Sequence, residues 1–216
     1  MELNELKNKA QNILDELISS GAILKGLETA LKELKQTVRT GHIYSFGLYT
    51  SGEYSYLCIT ANTSEGLQEA ALNYHKLDGY SNRSLDDLET VLKWSPPDWK
   101  YHATLQVEVF EHVDDKLEEL LKVTDEIMDL NIDIDERLDT IEDIVWKNLE
   151  DVLVDSLLKL NRDNPDLSEQ LVYGLWKGDQ SEEERQGFIK RINSQDQYEK
   201  YCKESTHGFE IERRWV

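Results

Sequence analysis

The stretch Ile43-Tyr44-Ser45-Phe46-Gly47-Leu48-Tyr49-Thr50, Ser51-Gly52-Glu53, Tyr54-Ser55-Tyr56-Leu57-Cys58-Ile59-Thr60-Ala61 decides the fold. Two runs rich in aromatic and β-branched residues flank a short polar turn containing glycine, which predicts a β-hairpin. Side chains alternate across a strand, so Tyr44, Phe46 and Leu48 share one face of the first run. Leu57, Ile59 and Ala61 share one face of the second, and these are the expected core faces. Cys58 falls on the opposite face with Tyr54, Tyr56 and Thr60. Nearly all the remaining sequence has helical periodicity, so the hairpin is the surface on which helices must pack.

Working outward toward the N-terminus, Leu3, Leu6, Ala10, Ile13, Leu14, Leu17 and Ile18 recur at helical spacing over residues 3–19 and stop at Ser19-Ser20-Gly21. A second amphipathic helix follows over 22–38, with Gly41 as the break before the hairpin. On the other side, Asn62-Thr63-Ser64-Glu65 reads as a helix cap, and the helix runs to about Lys76. Asp78 to Arg83 is a loop, and Ser84 with Asp87 caps a short helix through Leu92. Lys93-Trp94-Ser95-Pro96-Pro97-Asp98-Trp99 is either a capped helical turn or a polyproline II corner, with a tryptophan on each side of a stiff bend.

Leu105, Val107 and Val109 alternate like a strand. Leu105, Val109, Val113, Leu117, Leu120, Leu121 and Ile127 also fit a helix, and the longer pattern is preferred. Asn131 to Asp135 breaks it, and Leu138 to Leu160 forms a second long helix expected to lie antiparallel to the first. Leu171 to Trp176 reads as a third strand. Ser181 with Glu184 caps the next helix, and Gln195 to Lys203 makes the last. The expectation is therefore a helix-rich α+β fold. A short antiparallel sheet (hairpin 42–61 plus strand 171–176) is surrounded by amphipathic helices in a single domain, 1–216, with an acidic helical pair at about 104–160.

Charge is the loudest global property: 44 acids against 24 bases give a net −20 over 216 residues. It is unevenly placed, because residues 111–155 carry 17 acids against 4 bases, a net of −13. Such a field repels nucleic acid and anionic membrane and attracts basic partners, so neither nucleic acid nor membrane is expected as a partner. No run approaches 18 apolar residues, and the N-terminus lacks the apolar core of a signal peptide. With only Cys58 and Cys202 there is no disulfide framework, so a cytoplasmic location is expected.

Three segments carry a family resemblance: Phe46 to Thr50 with Gly52-Glu53-Tyr54, Ala61 to Glu65, and Lys93 to Trp99. Together they resemble domain-of-unknown-function family 4303, over roughly residues 2–200. The resemblance implies an α+β domain with a short sheet and surrounding helices. Some members occur beside polymorphic toxins and are regarded as immunity proteins. The chain departs from the family at Lys93, where arginine is expected before Trp94, and in a longer, more acidic 104–160 region. The family carries no established catalytic residues across to this chain.

The residues themselves offer little catalysis. Asp129, Asn131, Asp133 and Asp135 imitate the start of an EF-hand loop. Ile134 stands where the turn needs glycine, however, and Thr140 where a bidentate glutamate is needed. The preferred reading is an interhelix connection whose acids cap the next helix. None of the five histidines, His42, His75, His102, His112 and His207, sits in a metal-ligand spacing. Cys58 reads as a half-buried structural thiol. No catalytic residue, metal or cofactor is expected.

The leading expectation is a non-catalytic immunity protein that binds a cognate, basic toxin domain through its acidic helices. The contact residues would be Asp133, Asp135, Glu136, Asp139, Glu142 and Asp143, with Trp94 and Trp99 as candidate anchors. For the two tryptophans the preferred reading of the residues themselves is that they clamp the proline bend onto the hairpin. Two other readings stay open. One is an enzyme with a site between the hairpin and the Trp94–Trp99 corner, using Tyr49, His102 or Cys58; the other is a housekeeping adaptor. The oligomeric state is left open.

Overall fold

The hairpin forms, and a third strand completes a sheet between two helical layers. The computed structural model describes residues 2–38, 42–105, 108–167 and 170–215. Strand β1 (Ile43–Thr50) pairs antiparallel with β2 (Leu57–Thr63), setting Phe46 opposite Ala61 and Leu48 opposite Ile59. Strand β3 (Val172–Lys177) adds to the other edge of β1, giving the order β2-β1-β3.

The fold is thus helix-rich α+β, but the sheet is mixed rather than wholly antiparallel. β3 runs parallel to β1, with Phe46 opposite Tyr173 and Leu48 opposite Leu175. The reason lies in the connection. β2 returns the chain to the end of the sheet where β1 began, and the helical excursion brings it back at that same end, so β3 enters alongside the start of β1.

One face of the sheet carries Phe46, Leu48, Leu57, Ile59, Ala61, Tyr173 and Leu175 into a large aliphatic core. Tyr44 does not join them, although strict alternation places it there. The pairing slips between Ile43 and Ser45, leaving Tyr44 as the extra residue of a bulge, and it turns to the opposite face among Trp94, Trp99 and Trp176. Tyr54 also leaves the expected alternation. The connection runs over 51–56, and Tyr54, at φ +55°, buries its ring against Trp146.

The aliphatic layer is built from α1 (Leu3–Ser20), α2 (Ala22–Thr37), α5 (Val109–Met128), α6 (Ile134–Thr140) and α7 (Lys147–Asp163). Gly21 joins α1 to α2 at φ +60°, a left-handed conformation that glycine takes without a Cβ penalty. Each fully buried leucine of this layer contributes about 1.5–3 kcal/mol by leaving water. Between α6 and α7 the helix widens into a π segment, Ile141–Trp146, which periodicity alone did not suggest. The two acidic helices meet mainly near their shared turn, where α5 touches α6 and the π segment. α5 packs chiefly on α1 and α2, and α7 on α2 and on α8 (Glu182–Ile192), because their apolar stripes face the N-terminal helices and the sheet.

The opposite face is covered by α3 (Ser64–His75), α4 (Leu85–Leu92) and α9 (Gln195–Glu212). The caps fall where the sequence put them. Thr63 accepts from the Gly66 amide, Ser84 from the Asp87 amide, and Ser181 exchanges hydrogen bonds with Glu184. α9 continues nine residues beyond the expected end at Lys203. Its small residues Ser205 and Gly208 lie against α4, where a Cβ on Gly208 would stand 3.1 Å from the Thr90 carbonyl oxygen. The helix read from Leu105 begins at Val109. Gly41 and Val107 lie outside the described residues.

Candidate functional site

The turn between α5 and α6 gathers the predicted contact acids. Asp133 caps α6 by accepting from the Asp135 amide, as the interhelix reading required. Arg137 reaches back from α6 and donates to the Met128 carbonyl oxygen, which closes the C-terminal end of α5. Asp133, Asp135, Glu136, Asp139, Glu142 and Asp143 are all exposed. Of these six, only Asp143 forms an ion pair among the described residues, with Lys147 at 3.9 Å.

The bodies of the acidic helices behave differently. Lys9 meets Glu126 at 2.8 Å, Lys116 bridges Glu16 and Glu119, Lys122 meets Glu118, and Arg191 meets Asp151 at 2.6 Å. The chain's own cations thus partly neutralise the helix sides and leave five of the six turn acids without an ion pair among the described residues. Two apolar side chains stand within it, Ile134 at 44% and Leu138 at 50% exposure. Four residues apart on α6, they form one apolar strip with carboxylates around it.

Trp94 and Trp99 lie elsewhere, on the opposite face of the sheet, and are only 6% and 4% exposed. Pro96–Asp98 forms a short 3₁₀ turn between them. The Trp99 indole N–H donates to the Lys93 carbonyl oxygen at 3.1 Å, and the Tyr44 hydroxyl donates to the same oxygen at 3.0 Å. Buried Asn62 donates to the Tyr44 hydroxyl and accepts from the Lys100 amide, tying the bend to the end of β2. In this packing the two tryptophans clamp the corner onto the sheet.

The residues named for an enzyme are brought near one another, without the chemistry a nucleophile needs. Cys58 lies opposite Tyr49 in the hairpin, and the Tyr49 and His102 rings meet edge-on at 4.8 Å. The His102 Nδ1 is 3.2 Å from the Thr60 hydroxyl, and burial holds its pKa below the ordinary imidazole value, favouring the neutral ring. Burial, with help from the Asp114 carboxylate, pushes the Cys58 thiol up to about 11. A thiol so shifted is almost wholly protonated at neutral pH.

A cleft of about 450 Å³ opens beside the Trp-Pro corner. Tyr49 and Trp94 line it, but so do residues that sequence reasoning did not single out: Trp176, Gln180, Arg185 and Trp215. The available signal was the pair of strand glycines, Gly47 and Gly174, which face each other in the β1–β3 register. The Trp176 ring lies over both, and a Cβ on Gly174 would stand 2.5 Å from it. Among the described residues, no group of three or more His, Cys, Asp or Glu side chains is arranged to hold a metal ion.

These features define a helix-rich α+β protein with a charged helical turn on one side of its sheet and an aromatic cleft on the other. The chain belongs to the family described as Domain of unknown function (DUF4303), which matches residues 23–164, 142 of the 216 residues. The match is shorter than the 2–200 expected. It takes in the hairpin, the Trp-Pro corner and the acidic helices, and stops before β3. No curated protein and no solved structure matches the chain.

Proposed function

We propose that this is a non-catalytic immunity protein that acts in the cytoplasm and neutralises a basic toxin domain by binding it through the α5–α6 turn. The observation that carries this reading is the exposed carboxylate group of that turn, five of its six members without an ion pair among the described residues, surrounding Ile134 and Leu138. Like charges crowded on one short helix repel one another, and a basic surface relieves that repulsion. The carboxylates steer a basic partner inward, and the apolar pair supplies area that loses water on contact. The family resemblance, which implies that some members occur beside polymorphic toxins, points the same way. Among the described residues no helix is long and apolar enough to cross a membrane.

The test is to identify the adjacent gene and, where it encodes a protein with a basic C-terminal domain, to measure binding kinetics against that domain. Reversing Asp135, Glu136 and Asp139 to lysine slows association about tenfold or more at low salt, with the difference shrinking as salt rises. Leu138→Ala speeds dissociation. Unchanged kinetics in both variants would reject the turn as the interface.

A further inference from the structure

Four residues that line the aromatic cleft each carry a buried hydrogen-bond donor without a partner among the described residues. The donors are Trp94 Nε1, Trp176 Nε1, Gln180 Nε2 and Arg185 Nε, four of the eleven buried side-chain polar atoms without a partner among the described residues. Leaving a buried donor unmade costs about 1–3 kcal/mol, so such groups are few in native proteins, and a concentration at one cleft calls for an acceptor. We propose that this cleft binds a neutral, planar heteroaromatic molecule of about nucleoside size. Its ring stacks among the aromatic walls, and its ring acceptors take hydrogen bonds from Gln180 and Arg185, whose side chains turn to meet it.

Position supports the assignment. β1 and β3 run parallel, and Tyr49 and the Trp176–Gln180 segment lie at their C-terminal ends, where ligands sit in sheets with parallel strands. The volume, about 450 Å³, falls in the range of small-molecule sites. The walls are flat and held in place. Trp176 is 1% exposed, seated on Gly47 and Gly174 and braced edge-on by Trp99 at 4.8 Å. On the outer wall Tyr80 meets Tyr74 at 5.2 Å and Trp215 at 6.1 Å. Gln180 and Arg185, on longer side chains, can turn to meet a ligand that the fixed indoles only flank.

Charge sets the class of ligand. The two cations on the cleft are already engaged, Lys177 with Glu150 at 3.1 Å and Arg185 with Glu182 at 3.5 Å. Asp98, Asp179 and Glu212 also line it, so the walls offer no spare positive charge for a phosphate or carboxylate. An uncharged ring with carbonyl or ring-nitrogen acceptors satisfies the donors without meeting that repulsion. The site shares no residue with the acidic turn, so it stands or falls independently of toxin binding.

The experiment titrates the full chain with adenosine, guanosine and uridine, each beside its 5′-monophosphate, and with ribose as a ring-free control. Tryptophan fluorescence and calorimetry are the readouts. At least one nucleoside binds saturably, its monophosphate binds at least about tenfold more weakly, and ribose does not bind. For the nucleoside that binds, Gln180→Leu weakens affinity by about tenfold, the effect of one lost hydrogen bond. Trp215→Ala weakens it as well, with the unfolding midpoint unchanged in both variants. No nucleoside binding at millimolar concentration, a monophosphate binding as tightly as its nucleoside, ribose binding as well as the nucleosides, or full affinity in both variants would each overturn the proposal.

Discussion

The two faces of the sheet are packed by different means. On one, Leu, Ile and Val side chains from α1, α2, α5 and α7 interlock into a continuous core. On the other, a few large rings meet edge-on: Tyr44 with Trp94 at 5.6 Å, Trp94 with Tyr201 at 4.9 Å, and Trp99 with Trp176 at 4.8 Å. Branched aliphatic chains adjust to fill the space between helices. Rigid rings fix one another's angles instead, and they carry N–H groups that need partners. The aromatic side therefore holds a concavity whose lining residues carry N–H groups without partners among the described residues.

Substitutions beneath the two faces test that difference most strongly. Gly47→Ala places a Cβ 1.9 Å from the Gly174 carbonyl oxygen and 2.8 Å from the Trp176 ring, so β1 and β3 must move apart. A loss of about 3 kcal/mol or more is expected in urea unfolding, with the cleft disturbed along with the sheet. Leu157→Ala, at a fully buried position of the aliphatic core, opens a cavity and costs about 3 kcal/mol while leaving the cleft unaffected. A Gly47→Ala protein as stable as the native one would show that the ring stack is not rigidly seated.

A smaller effect separates the faces by pH. Cys58 is held neutral by burial, with its folded value near 11 against 9.0 for an ordinary thiol. Because the folded value is the higher one, the contribution is intact below about pH 9 and is lost as pH rises toward 11. Cys58→Ala flattens that part of the stability profile relative to the native protein. The same shift makes Cys58 slow to react with a thiol reagent at pH 8 in a Cys202→Ser background, and rapid labelling there would revive a nucleophilic role.

The smallest effect on stability is expected at the acidic turn. Asp135, Glu136 and Asp139 are exposed and form no ion pair among the described residues. Reversing them to lysine leaves the urea midpoint unchanged or slightly raised, since self-repulsion is relieved. A marked loss of stability would mean that these carboxylates hold the turn together, contrary to their surroundings.

Much of the local structure was legible from neighbouring residues. The stop at Gly21, the caps at Thr63, Ser84 and Ser181, the hairpin core of Phe46, Leu48, Leu57, Ile59 and Ala61, and the acidic turn with Asp133 as its cap all depend on residues a few positions apart. Period and capping chemistry report those directly.

Tertiary structure alone decided the rest. The direction of β3, the bulge that turns Tyr44 away from its strand-mates, the π segment before α7 and the packing of α5 and α7 on the N-terminal helices each depend on partners far along the chain. The cleft does too, because it joins Tyr49, Trp94, Trp176, Arg185 and Trp215 from five separate parts of the sequence. The chain's own pattern sets which side chains face inward and where helices begin. Which inward faces meet, and what space remains between them, is settled only when burial, strand pairing and ring packing are satisfied together.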